Sequence, residues 1–173
     1  MPNFTGSLVA GLEAVVYSTN KDFADTLNSF SAASRLKMSA GTGVNQADVL
    51  YQKVITLAGS ATVALDLNGG TNDALNINIA MLTIVGLLII NKDVNGVNGG
   101  ATLTIGGGAT PINGLFGANT QQLKLPPGGT QLLFCGEVGG IAIITPATAD
   151  ILNITNGAAG ASTFQTFIIG RSI

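Results

Sequence analysis

Short runs of alternating or continuous hydrophobic residues, separated by glycine, asparagine and proline, recur along most of this chain. Residues 61–67 show the alternation clearly, with Val63, Leu65 and Leu67 on one side of a period-two pattern. The run closes at residues 68–70 (Asn-Gly-Gly), and similar turn signals return about every eight to twelve residues. Valine, isoleucine and threonine, which favour strands, dominate the runs. The pattern predicts an all-β protein built as a single antiparallel β-sandwich.

The longest apolar run, residues 79–90, is interrupted only by Thr83. A helix that crosses a bilayer needs about 20 apolar residues, so this run is too short. Immediately upstream, Leu75 and Ile77 alternate with asparagines, which is a period of two and not of 3.6. We therefore expect one or two buried strands here.

Residues 19–36 fit two structures. Phe23, Leu27 and Phe30 are spaced as on one face of a helix, and the segment opens with a pair of residues that resembles a capping box. The same segment is rich in serine, threonine and asparagine and fits a strand equally well. The fold therefore contains at most one short helix, near residues 19–36, and helix or strand stays open at this point.

The length of 173 residues suits one domain. No linker rich in proline and serine divides the chain, and two halves of about 70 residues would each make a marginal sandwich. We expect residues 21–173 to form a single β-sandwich domain. Residues 1–20, which carry little charge, are expected to form an N-terminal arm or an edge strand.

Charge is unusually sparse. Charged residues make up 9% of the chain, against about 25% in ordinary soluble domains, and the formal net charge is -2. An acidic chain with no basic patch is a poor candidate for binding nucleic acid. Mean hydropathy is +0.48, so either a membrane or partner proteins must cover much of the surface. Because the longest apolar run is too short for a membrane helix, we favour coverage by partners.

The sequence offers few residues of the types that carry out catalysis. The chain has no histidine, which excludes Ser-His-Asp and Cys-His sites. Cys135 is the sole cysteine, so neither an internal disulfide nor a cysteine-based zinc site can form, and we expect a buried, inert thiol. No spacing among the nine acidic residues favours a catalytic pair. We expect a protein that is not an enzyme, with no catalytic residue and no cofactor.

One loop collects oxygen ligands. Asp66, Asn68, Asn72 and Asp73 offer two carboxylates and two amides within eight residues, which makes a calcium ion conceivable. Calcium sites usually gather more carboxylates, and turns in which aspartate and asparagine bond to their own backbone explain the same residues. These four are weak candidates, and we expect no metal.

A longer pattern covers residues 55–173. It comprises strand ends, turns and strands that read Asp66-Leu67-Asn68-Gly69-Gly70, Ile89-Ile90-Asn91, Pro127-Gly128-Gly129, residues 149–156 (ADILNITN) and residues 164–170 (FQTFIIG). Together these resemble small β-rich virion proteins of tailed bacteriophages. Residues 1–54 carry no comparable signal.

The resemblance implies a jelly-roll-like sandwich and a place on the virus particle. It implies a capsid decoration (cement) protein that forms a homo-oligomer such as a trimer, binds the major capsid protein and bridges capsomers. Such a protein is made in the host cytoplasm and ends on the capsid surface. The alternative is a tail or head-fibre component that acts as an adhesion or receptor-binding module. A glycan hydrolase is opposed by the missing histidine, and a carbohydrate-binding module by the missing tryptophan.

Overall fold

A computed structural model describes residues 5–18, 26–73, 76–92, 101–116 and 120–172. Apart from one helical turn, α1 (Asn113–Phe116), the regular elements in these ranges are strands, which confirms the all-β prediction. The strands are β1 (Thr5–Ser18), β2 (Thr26–Ala40), β3 (Gln46–Ala47), β4 (Val49–Leu57), β5 (Thr62–Asp66), β6 (Asn68–Asn72), β7 (Asn78–Ala80), β8 (Thr83–Asn91), β9 (Leu103–Gly106), β10 (Gln122–Leu125), β11 (Thr130–Phe134), β12 (Ala142–Ile143), β13 (Ile151–Asn156) and β14 (Ser162–Arg171).

Eight of these strands form two antiparallel four-stranded sheets. Sheet I has the order β10-β9-β13-β5, and sheet II has the order β11-β8-β14-β4, with β12 paired to β8 beyond β11. Counted in chain order, the first of the eight pairs with the last, the second with the seventh, the third with the sixth and the fourth with the fifth. An antiparallel ribbon wrapped in this way is a jelly roll.

The core lies between the two sheets, because alternate side chains of every strand point inward. Tyr51, Phe164 and Leu87 of sheet II and Leu65 and Leu152 of sheet I are among the side chains that fill it, and all are at least nine-tenths buried. The predicted alternation in residues 61–67 is therefore the inward-facing row of β5.

The apolar run of residues 79–90 includes the end of β7 and most of β8. β8 is the predicted buried strand, whereas Asn78 and Ala80 of β7 are exposed. β8 lies inside sheet II, and Val85, Leu87 and Ile89 are almost fully buried although they do not all face the same side of the sheet. Of the helical structure described for this chain, none is long and apolar enough to cross a bilayer.

The first two strands form a long hairpin outside the jelly roll. β1 and β2 pair from Thr5↔Ser39 to Ser18↔Thr26, and β3 adds a short parallel pairing to β2. The helical alternative is wrong for residues 26–36, which are strand, and residues 19–25 lie outside the described ranges. β1 belongs to the predicted arm of residues 1–20, whereas β2 lies in the range assigned to the sandwich, so the hairpin crosses that boundary.

Candidate interaction surface

The outer face of sheet II, which points away from the core, carries no charged side chain on its four main strands. Leu50 and Val54 of the edge strand β4 are 41% and 53% exposed. Phe167 and Leu88 at the centre of the sheet are partly exposed. The outward positions are Leu50, Gln52, Val54 and Thr56 on β4, Thr163, Gln165, Phe167 and Ile169 on β14, Val85, Leu88 and Ile90 on β8, and Thr130, Leu132 and Phe134 on β11.

The outer face of sheet I is different. Thr62 and Thr155 face each other there with their hydroxyl oxygens 2.8 Å apart. Asn153 and Thr104 lie beside them, and Lys124 is exposed on β10. An antiparallel sheet with one solvated face normally places polar residues on that face. Sheet I follows this rule and sheet II does not.

The base of the β1–β2 hairpin packs on the outer face of sheet II. Leu8, Leu36 and Met38 pack with Val85 and Ile169 in a small apolar cluster that is separate from the main core. Farther along the hairpin this contact ends, because every residue of the range 31–35 is exposed. Since successive side chains of a strand point to opposite faces, both faces of the hairpin are uncovered there by the described residues.

The uncovered part of the hairpin has one uncharged face. The cross-strand pairs Leu8↔Leu36 and Ala10↔Ser34 place these four side chains on the same face. Alternation puts Ala32 on that face and puts Arg35 and Lys37 on the opposite one. We call Ala10, Ala32 and Ser34, which continue the face beyond its packed base, the uncharged arm face.

An apolar cleft of about 140 Å³ lies where the hairpin meets sheet II. It is lined by Leu8, Gly86, Leu88, Phe167 and Ile169. A Cβ added to Gly86 would lie 2.5 Å from Cδ1 of Leu8, so glycine at this position allows the hairpin base to approach the sheet closely. The cleft is about as large as a protein cavity that holds a benzene ring.

Arg171 fixes the hairpin base from inside the protein. Its side chain is 1% exposed, and its guanidinium donates to backbone carbonyls on two separate segments. Nε donates to Gln46 O of β3 at 2.9 Å, and the terminal nitrogens donate to the carbonyls of Gly136, Glu137 and Val138 at 3.1, 2.8 and 2.6 Å. Because β3 pairs with β2, Arg171 links the hairpin to the β11–β12 loop and to the end of β14.

Two of the four candidate ion ligands fix the start of the β6–β7 ribbon. The Asp66 carboxylate accepts a hydrogen bond from the backbone N–H of Asn68 at 2.9 Å. The Asn68 amide donates to Met81 O at 2.9 Å. The Asp66 contact is a turn of the kind that the sequence offered as the alternative to an ion, whereas the Asn68 amide bonds to a residue beyond β7.

The other two candidates fix the far end of the same ribbon. The Asp73 carboxylate accepts from the backbone N–H of Ile77 at 2.8 Å, and the Asn72 amide donates to the side-chain oxygen of Asn76 at 3.0 Å. In the described part of the chain, no three histidine, cysteine, aspartate or glutamate residues lie close enough together to hold a metal.

Other chemically distinctive side chains are dispersed. Cys135 is only partly buried, so the expectation of a buried thiol is wrong. The Asp48 carboxylate accepts from the N–H and hydroxyl of Ser172 at 2.9 and 2.5 Å, and the Asp150 carboxylate accepts from the N–H of Ala147 at 2.5 Å. These two carboxylates therefore hold backbone segments in place.

Three hydroxyls lie inside the core. Tyr51 OH, Ser162 Oγ and Thr166 Oγ1 are buried and have no hydrogen-bond partner among the described residues. Burial, with a smaller contribution from the Asp73 carboxylate, raises the pKa of Tyr51 to about 12. Nothing in the sequence distinguished these three residues from other polar residues in strands.

The surface formed by the outer face of sheet II and the hairpin is the most unusual feature of the described structure. Comparisons of the chain with protein-family models, with curated proteins and with solved structures gave no match. This surface and the sequence pattern of residues 55–173 are therefore the features that bear on function.

Proposed function

We propose that this chain is a non-enzymatic virion structural protein that decorates the capsid of a tailed bacteriophage. It oligomerises and bridges neighbouring capsomers, which stabilises the shell. The observation that carries the proposal is the outer face of sheet II, on which no outward-facing position of the four main strands holds a charged residue. Its partners are further copies of itself and the major capsid protein, and it needs no cofactor.

A packed lattice explains such a face. The buried centre of a protein interface is depleted in charged residues, whereas its rim stays polar. Repeated subunits in a closed assembly bury the same patch on every copy. Many modest apolar contacts made at once give an avidity far above that of any single contact, which is what resistance to internal pressure requires.

The phage-like pattern falls on the jelly roll itself. The Asp66–Gly70 stretch covers the end of β5 and the start of β6, and residues 127–129 form the turn between β10 and β11. Residues 149–156 lead into and include β13, and residues 164–170 lie within β14. The pattern therefore matches the strand ends and turns that define this fold, which supports the virion assignment.

The direct test is binding to capsids. The purified chain is mixed with shells built from the major capsid protein of the same virus, sedimented, and imaged by electron cryomicroscopy. We expect saturation at a fixed number of copies per capsomer and a higher temperature of shell rupture. Shells that neither bind the chain nor gain heat resistance would contradict the proposal.

The alternative, a tail or head-fibre component that acts as an adhesion module, is favoured by one observation. The range 31–35 of strand β2 is exposed on both faces of the hairpin. A segment that contacts a receptor must be exposed in this way. The same images distinguish the two, because density for the chain on the tail or on fibres, with bare capsomers, would favour the alternative.

A further inference from the structure

We propose that copies of this chain exchange hairpins: the uncharged arm face of one copy lies on the outer face of sheet II of a second copy. This inference deepens the proposed function and rests on its claim that copies of the chain contact one another. It names the two surfaces that meet.

The hairpin requires a cover. An isolated two-stranded hairpin is marginally stable in water, and stability normally comes from a third strand or from packing against another layer. Among the hairpin residues whose surroundings are described, Leu8, Leu36 and Met38 at its base pack on the chain's own sheet II. Pairing nevertheless continues to Ser18↔Thr26, ten residues past Leu8↔Leu36. The paired segment beyond Leu8↔Leu36 is therefore roughly 30 Å long, and its described range 31–35 is exposed.

The two surfaces complement each other in shape. The uncharged arm face offers the small side chains of Ala10, Ala32 and Ser34. The outer face of sheet II offers large ones, of which Phe167 and Leu88 also border the apolar cleft. Large side chains pack well against a smooth strand pair, and close contact of this kind gives interfaces the packing density of protein interiors.

The two surfaces also match in charge. Neither face carries an ionised group, so no unpaired charge becomes buried when the two faces meet. Arg35 and Lys37 lie on the opposite side of the hairpin and would stay in water. Because both surfaces belong to this one chain, a second copy provides the complement, and no different partner is needed.

The buried area is sufficient. Strands about 4.8 Å apart with a rise of about 3.4 Å per residue give the outer face of sheet II roughly 500 Å². The same spacings give one face of the free hairpin roughly 300 Å². A hairpin covers no more of the sheet than its own face, so an exchange in which each copy gives one hairpin and receives one buries about 600 Å² per partner. The total of about 1,200 Å² is at the lower limit for a standard stable interface.

Cross-linking tests the geometry. In a Cys135→Ser background, one preparation carries Ala32→Cys on the arm and another carries Val54→Cys on sheet II, and the two are mixed with a short bis-maleimide. We expect cross-linked dimers of unlike chains to form about tenfold faster than with the matched control Ala64→Cys, an exposed position on sheet I. Equal rates would overturn the proposal, and so would a faster self-linking of the Val54→Cys chain, which would indicate packing of one sheet face on another.

Mass in solution is the second readout. We expect the isolated chain to sediment as an oligomer, Val54→Glu to weaken its association about a hundredfold by placing an unpaired charge in the interface, and Ala64→Glu to change nothing. A monomer at every concentration up to the solubility limit overturns the exchange. If that monomer still saturates shells, capsid decoration stands and self-association is removed from the proposed function. An oligomer that cross-links as expected but ignores shells keeps the exchange and removes the proposed function.

Discussion

Replacing Arg171 should loosen the hairpin base and destabilise the whole domain. In the native chain its guanidinium donates to Gln46 O and to the carbonyls of Gly136, Glu137 and Val138. Methionine keeps much of the apolar stem but has no donor, so Arg171→Met removes one hydrogen bond from each of four carbonyls. Gly136 O and Glu137 O keep the N–H groups of Asn45 and Gly140 as donors.

The magnitude follows from those four bonds. A hydrogen bond to a charged group contributes about 1.5–3 kcal/mol, and a buried acceptor left unsatisfied costs about 1–3 kcal/mol. Water can reach some of the freed carbonyls, because Glu137 and Val138 are exposed residues. We therefore expect a loss of about 4 kcal/mol in the free energy of unfolding. That corresponds to a Tm lower by roughly 12 °C.

Arg171→Lys should recover about half of that loss. A lysine ammonium has three donors at one point, whereas the guanidinium presents five donors in a planar fork that serves two segments at once. Lys124→Met is the matched control, because it removes one positive charge from an exposed position and should change stability by less than about 0.5 kcal/mol.

Urea unfolding followed by circular dichroism measures all three variants. Hydrogen exchange measured on the Arg171→Met protein should also show faster exchange at Asn45 and Cys135, whose N–H groups donate to Gly136 O and Val85 O in the segments that Arg171 ties down. An Arg171→Met protein within about 1 kcal/mol of the parent would refute this reasoning, since the loss of four hydrogen bonds from a charged group cannot cost so little.

Three further predictions concern the core. Thr166→Val removes, at nearly constant volume, a buried hydroxyl that has no partner among the described residues. The free energy of unfolding in urea should therefore rise by about 1 kcal/mol. A lower free energy of unfolding would mean that the hydroxyl is hydrogen-bonded. The raised pKa of Tyr51, about 12 against 10.0, adds stability that is complete below pH 10 and is lost as the pH rises towards 12. The Tm should therefore decrease less between pH 8 and 11.5 for Tyr51→Phe than for the parent. Equal decreases would count against the argument. Asn156→Asp should lower the free energy of unfolding in urea by about 3 kcal/mol, because the amide donates to the carbonyls of Leu57, Ala58 and Gly160, which a carboxylate would repel. The exposed Gln121→Glu makes the same amide-to-carboxylate change and serves as control.

Local patterns were sufficient to predict the strands. The alternation in residues 61–67 and the β-branched run of residues 79–90 depend only on near neighbours, and both predict the strands that form. The segment of residues 19–36 was ambiguous because three apolar residues at helical spacing competed with a composition that suits strands. Its described part, 26–36, is held as strand by pairing with β1, and that pairing is a long-range contact which local periodicity does not reveal.

Arg171 was not found from the sequence. It follows Gly170, and nothing in its local sequence distinguishes it from an ordinary exposed cation. Its partners are backbone carbonyls of residues 46 and 136–138, and no side-chain motif marks a carbonyl. Only the fold brings them together.

The apolar outer face of sheet II is detectable in the sequence. In an antiparallel strand with one solvated face, polar and apolar residues alternate. Residues 166–169 read Thr-Phe-Ile-Ile, in which Phe167 and Ile169 point outward while Ile168 points inward. Such a run predicts a strand with apolar residues on both faces, and it could have indicated this surface before the structure did.

Hydroxyl-radical footprinting of the assembled particle tests the central claim, that other protein covers the outer face of sheet II, most directly. Val54 and Val138 have the same intrinsic reactivity and are 53% and 65% exposed in the isolated chain, so their labelling rates should be similar before assembly. After assembly we expect Val54 to be protected at least about fivefold relative to Val138, as for a side chain moved into an interface core. Equal labelling of the two valines in the intact particle would contradict the account.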